Sequence, residues 1–192
     1  MEEDLNQSLN KQAELMIVVV GFFATVQLLI VQAVQGNAPL VREAVTLALA
    51  AGCAVRYWWV ILLLPWPARW FRMLLLLLAW SALPAVAMMA TSPVRWAFAL
   101  AALSAIGCMT EVYNGITGQW RVGSEDVARS LKADHVFGAV SAGAAAAAVL
   151  LVASLTPSWL DVLIPLMVIA DWARLIMMIR RHQRFIDQGQ LT

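Results

Sequence analysis

The chain has 192 residues, of which 62% are hydrophobic and only 13% charged, with a formal net charge of +1. At a mean hydropathy of +0.77 it carries more apolar surface than a soluble domain of this length can bury, so lipid is the expected solvent for much of it. No basic block or RNA-binding signature is present, which argues against a nucleic-acid partner.

The chain opens on the acidic run Met1-Glu2-Glu3-Asp4, where a secretory signal would be basic. Its first apolar run is long and no small-x-small cleavage site follows at Gln35-Gly36-Asn37, so it reads as a retained membrane helix. Within residues 1–14, Leu5, Leu9 and Ala13 recur at helical spacing among polar residues, predicting a short amphipathic segment ahead of the first span.

Residues 15–180 hold stretches approaching the roughly 20 residues needed to cross a ~30 Å hydrocarbon core. The predicted spans are 15–35, 44–64, 70–90, 94–113, 135–155 and 159–179. Turn signals separate them: Gly36-Asn37-Ala38-Pro39, Pro65-Trp66-Pro67, Thr91-Ser92-Pro93 and Thr156-Pro157. Pro93 and Pro157 suit a first helical position, with Ser92 and Thr156 as N-caps. Pro84 and Pro165 fall inside the third and sixth spans and predict kinks. The expected fold is therefore all-α: a polytopic membrane protein, a bundle of six transmembrane helices with both termini cytoplasmic.

Charge placement carries that orientation. It puts Lys11, Arg69, Arg72, Arg121, Arg129, Lys132, Arg180, Arg181 and Arg184 inside and leaves Arg42 and Arg95 outside, in accord with the positive-inside rule. Trp66, Trp70 and Trp120 are then expected at the inner interface, Trp96 and Trp159 at the outer one. A bacterial inner membrane or a plasma membrane is the expected location.

The longest connection, 114–134, contains glycines and then Ser124-Glu125-Asp126, an N-cap followed by acids where the helix dipole favours them. Glu125 and Arg129 are spaced for an ion pair, and Val127 with Leu131 makes a narrow apolar stripe. A short helix on the cytoplasmic surface is expected. Trp120, Glu125, Val127, Arg129, Leu131 and Lys132 form either an ordinary connector or a docking face for a soluble partner. Residues 181–192 read as a basic, then polar, tail.

In the fifth span Gly138, Ala142 and Ala146, beside Ala139, Gly143 and Ala147, repeat the small-xxx-small pattern that lets helices approach closely in lipid. This span is expected inside the bundle or at a subunit contact. The Leu74–Leu78 run of the third span suits lipid exposure.

Arg56, Glu111, Asp171 and Arg174 stand in otherwise apolar text. Charges at that depth normally face protein or water and have partners. Under the predicted topology the even-numbered spans run the same way, and Arg56 and Asp171 both fall about 12 Å from the cytoplasmic edge. Arg56 is expected to meet Asp171, and Arg174 to meet Asp171 or Glu111. Such a cluster is either a salt-bridged clamp for the helices or part of a path, a gate or a headgroup pocket. Gln27, near the middle of the first span, would extend a polar path outward.

Neither cysteine has CxxC spacing, the histidines make no ligand cluster, and no HExxH, GxSxG or Gly-rich phosphate loop appears, so no metal or cofactor is expected. Glu111 with His135 is the one pair suited to acid/base work, which makes an enzyme the least favoured class. The first expectation is a channel or transporter-like protein, a homo-oligomer in the bilayer, because six short helices enclose little space alone. The alternative is a non-transporting anchor, sensor or assembly subunit that docks a soluble cytoplasmic partner.

Overall fold

The computed structural model describes the backbone of residues 2–63, 70–117 and 125–188, and the side chains of residues 11–59, 70–116 and 125–188. Its α-helices are α1 Glu2–Gln35, α2 Leu40–Leu63, α3 Trp70–Met89, α4 Pro93–Thr117, α5 Glu125–Leu155 and α6 Leu160–Asp187, with a 3₁₀ turn at Pro157–Trp159 before α6. There are no strands among the described residues. Five helices, α1 and α3 to α6, are long and apolar enough to cross a membrane. The other, α2, has 24 residues, and Arg42, Glu43 and Arg56 lower the hydropathy of its described part.

Helix starts and stops follow local chemistry. At the end of α1 the Gly36 N–H donates to Ala33 O at 3.2 Å and the Asn37 N–H to Gln32 O at 3.2 Å. That is a Schellman closure, and Gly36 supplies its left-handed residue with φ of 64°. Pro93 is the first residue of α4, as its place after Ser92 predicts. Thr156 departs from expectation: its hydroxyl makes no capping bond, and the chain turns through the 3₁₀ segment before α6 begins.

Two expected short helices are not separate. The segment before the first span is continuous with it in α1, and Glu125 begins a single helix of 31 residues that runs to Leu155. Neither stretch contains a glycine or proline at the junction, so propagation, which adds a bond for each residue fixed, carries the helix through. Ser124, Trp66 and Trp120 lie outside the described residues.

The helices pair as three antiparallel hairpins, α1–α2, α3–α4 and α5–α6. Each hairpin packs on both others: α1 and α2 on α3, α4 on α5 and α6, and α6 on α2. The three described hairpin turns lie at one end, called here the turn end; the start of α1 and the end of α6 lie at the other, the terminal end. A core containing Trp80, Leu83, Val86, Trp96, Leu100, Leu160 and Ile164 fills the turn-end half. The outer surface is apolar, with Phe23 and Ile30 of α1, Val140 and Leu151 of α5, and Leu166 and Ile169 of α6 all exposed. Leu74, Leu77 and Leu78 face outward as expected, while Leu75 is buried.

α5 is not enclosed by the bundle. Gly138 and Ala139 are buried and Ala146 packs on the core, but Val136, Phe137 and Val140 face out. Its small residues make one packing face rather than a wholly buried helix. Trp70 and Trp159 are exposed near helix ends, whereas Trp96, read as an interface anchor, is fully buried. Its indole N–H donates to Thr46 Oγ1 at 3.2 Å, which removes the polar handle that would hold it at an interface.

Candidate functional site

The four charges meet at the junction of the three hairpins, in the terminal-end half. Arg56 of α2 donates through Nη2 to Asp171 Oδ1 of α6 at 2.8 Å, and its Nη1 lies 3.9 Å from Glu111 Oε1 of α4. Arg174, one helical turn beyond Asp171, holds its Nε 3.5 Å from Asp171 Oδ1. The other carboxylate oxygen of Glu111 is 2.5 Å from Nδ1 of His135 on α5. Each hairpin therefore contributes at least one charged group, and the two carboxylates balance the two guanidiniums.

Gly138 makes this closeness possible. A Cβ there would lie 2.9 Å from Glu111 Cδ and 3.0 Å from Arg174 Nη1, so any larger residue would press the acid and the base apart. The guanidinium of Arg174 also lies over the Phe137 ring, 5.8 Å from its centroid. Trp172, beside Asp171, instead donates to Ala48 O at 3.0 Å and packs on the Gly52 backbone, fixing α6 against α2.

The cluster is not sealed. Asp171 is 38% exposed and Arg56 27%, although both lie among helices. Gly107, one turn from Glu111 on the same face of α4, has open space beside it: a Cβ built there meets nothing within 4 Å. Among the described residues, Nε of Arg56 and of Arg174 and Oδ1 of Asn114 are buried with no hydrogen-bond partner, as are Oε1 of Gln32 and of Glu43 near the turn end. Buried polar atoms without partners are uncommon in native structures and point to water or a ligand.

A second polar group lies nearer the terminal end. His182 accepts from the Trp59 indole N–H at Nδ1 (3.3 Å), so its proton sits on Nε2 and is directed to Asp134 Oδ2 at 3.2 Å. Asp134 also accepts from Arg181 at 2.8 Å. A third group is buried: Glu14 of α1 accepts from Arg72 of α3 at 3.0 Å and from the Tyr57 hydroxyl of α2 at 3.2 Å.

At the turn end, Arg42 forms a bidentate pair with Asp161, at 2.6 and 2.8 Å, and donates to Ala90 O at 3.1 Å, just past the end of α3. Its guanidinium also stands 5.9 Å from the Trp96 ring centroid. Arg42 precedes the expected second span, and the hydrogen bonds it donates to Asp161 raise its pKa above the ordinary guanidinium value. One side chain thus links α2, α3, α4 and α6.

Other sequence expectations fare differently. Gln27 is exposed on the outward face of α1, away from the cluster; among the described residues of that helix the buried polar ones are Glu14, Thr25 and Gln32. Val127 and Leu131 are 1% exposed and pack inward, leaving no apolar stripe for a partner. Arg129 bonds to Asp126 at 3.2 Å, one turn away, in place of the anticipated Glu125 pair. Ala142 and Gly143 are half-buried, and a Cβ on Gly143 would touch Cys108 Sγ at 3.7 Å. Both cysteines are free, and no group of three or more His, Cys, Asp or Glu among the described residues is placed to hold a metal ion.

The sequence missed Glu14–Arg72, Asp134–His182 and Arg42–Asp161. Each residue sits near a span boundary, where charge is ordinary, and only complementary sign at the same end of the bundle hinted at pairing. Comparison of the chain with protein-family models, curated proteins and solved structures finds no match.

Proposed function

We propose that the chain is a six-span membrane protein, with both termini cytoplasmic, that carries a small charged solute by way of the Arg56–Glu111–Asp171–Arg174 cluster. The observation that carries this reading is a set of charges drawn from all three hairpins, with Asp171 38% and Arg56 27% exposed, beneath an apolar core in the opposite half. A purely structural clamp needs neither exposed carboxylate nor buried donors left unpaired, since half-satisfied networks cost stability. The unpartnered Nε of Arg56, the open space beside Gly107 and the exposure of Asp171 suit a site entered from the terminal end.

Lipid is the partner this reading requires. The outward rows of Phe, Leu, Ile and Val meet acyl chains, and Arg180 with Arg184 meets anionic headgroups, at about 1 kcal/mol for each charge. Val127 and Leu131 pack inward and are not offered to a soluble partner, which favours this reading over the alternative, a docking subunit.

The test is tracer uptake into phosphatidylcholine–phosphatidylglycerol vesicles containing the purified protein, with a panel of small inorganic and organic ions. Uptake above protein-free vesicles is expected for at least one solute, falling more than about tenfold in Arg56→Ala and Asp171→Asn, as loss of a charge-assisted contact predicts. Uptake that is indifferent to both substitutions, or absent for the whole panel, removes the proposal.

A further inference from the structure

We infer that Gln32 of α1 and Glu43 of α2 together bind a monovalent alkali cation at the turn end. The inference is independent of the transport reading and concerns the opposite end of the bundle from the charge cluster.

Glu43 is 6% exposed and Gln32 9%, and Oε1 of each is buried with no hydrogen-bond partner among the described residues. Glu43 has no ion pair among those residues either. Its place in the first turn of α2 suits the helix dipole. A dipole end does not, however, replace a partner for a carboxylate taken out of water. Pro39, just ahead of α2, has no N–H for a first-turn acid to cap. The adjacent guanidinium is committed elsewhere: Arg42 directs Nε and Nη2 to Asp161 and Nη1 to Ala90 O. Arg95, also at the turn end, is exposed and makes no ion pair among the described residues.

The hairpin brings the two side chains to one groove. Gln32 is four residues before Gly36 and Glu43 four after Pro39, so each lies about 6 Å below the turn at the helical rise. Gln32 stands about five full turns from Glu14, on the same face of α1. Glu43 is within about 40° of the face of α2 that carries Tyr57. Those faces meet, because the Tyr57 hydroxyl donates to Glu14 at 3.2 Å.

A carboxylate and an amide carbonyl are the oxygen ligands that a hard cation takes. One positive charge makes the site neutral, whereas a divalent ion leaves it charged and needs more oxygen ligands than the pair supplies. The turn at residues 35–37 is exposed, so water completes the coordination shell from that side. Turning the Gln32 amide round gives Glu43 a hydrogen bond but leaves its charge uncompensated. A bound cation removes that charge and fastens the end of α1 to the start of α2, beside the Arg42–Asp161 pair.

Thermal unfolding of the full chain in detergent tests this, with sodium or potassium chloride replacing N-methylglucamine chloride at constant ionic strength. The pH is held well above the ordinary carboxylate range, and N-methylglucamine is too large for the groove. A cation that binds only the folded state should raise the melting temperature by about 3–6 °C for each tenfold rise above its dissociation constant. That rise is expected with at least one of the two alkali ions. Glu43→Gln, which keeps the shape and removes the charge, should be indifferent to them. It should also melt above the parent in N-methylglucamine, where the parent carboxylate has no counter-ion. Gln32→Leu keeps the charge and loses one ligand, so about tenfold more cation should be needed for the same rise.

Equal melting of the parent in all three salts, the result if Glu43 takes up a proton alone, overturns the inference. So does a cation-dependent rise that survives in Glu43→Gln, or a cation requirement unchanged in Gln32→Leu. If Glu43→Gln does not fold, the cation requirement of Gln32→Leu decides.

Discussion

At the scale of single residues, two glycines show that the same substitution can act through different physics. Gly36 has φ of 64° and open space around it, with nothing within 4 Å of an added Cβ. Gly36→Ala therefore acts through the backbone alone, and about 1 kcal/mol is the expected loss. Gly21 is helical, where propensity favours alanine by about 1 kcal/mol. Yet a Cβ there would lie 2.8 Å from Trp80 Cβ and 3.0 Å from its carbonyl oxygen, atoms that cannot swing aside. Overpacking costs about 1–3 kcal/mol, so Gly21→Ala should also destabilise, against its propensity. Thermal unfolding of both variants in one detergent decides this, and a stabilised Gly21→Ala would show that α1 and α3 do not press together there. Gly36 was legible in the sequence because its turn lies between apolar runs; Gly21 was not, because only the neighbouring helix makes that position tight.

At the scale of helices, what was legible divides along the same line. Apolar runs of spanning length appear in the sequence as clearly as in the structure, since length and composition are local properties. Interruptions are not so readable: Ser124-Glu125-Asp126 looks like the start of a short helix, but nothing downstream stops that helix before Leu155. Nor does a span reveal its inner face. Gln27 is polar and at mid-span yet exposed, while Glu14 and Arg72, at span edges, are each under a tenth exposed and bonded to each other. That pair joins α1 to α3, and Tyr57 joins α2 to it. Removing one member breaks a buried ion pair, so Glu14→Gln and Arg72→Met should each cost about 3–5 kcal/mol. The double variant should cost clearly less than the sum, because the shared contact is lost only once. Denaturant unfolding of the three variants in mixed micelles gives the cycle, and additive losses would mean that the two residues do not act as a pair.

At the scale of the whole molecule, the bundle is built differently at its two ends. The terminal end holds the interior charges and the exposed part of Asp171; the turn end holds the apolar core and, above it, the Arg42–Asp161 pair. The location of the interior cluster was legible because charges in apolar text are conspicuous, and Arg56 with Asp171 was foreseeable from their matching depth. Closure of the other end was not, because Arg42 and Asp161 each look like ordinary boundary residues until α2 and α6 are placed side by side. Their bidentate geometry, the bond to Ala90 O and the nearby Trp96 make this pair the tie that holds the hairpins together above the core. Its loss should open a route from the turn end. A single cysteine at Gly107, where the Cβ meets nothing, reports water access one turn from Glu111 once Cys53 and Cys108 are changed to alanine. An impermeant methanethiosulfonate reagent should modify it from the terminal-end side and be excluded from the turn-end side. Adding Arg42→Ala should raise turn-end modification by about tenfold or more, the effect of about 1.4 kcal/mol on an opening equilibrium, while Arg42→Lys, which keeps the charge but not the fork, should fall between. Equal modification from both sides of the parent protein would mean that the core does not close the turn end. No change on losing Arg42 would mean that the core closes it without help from the ion pair.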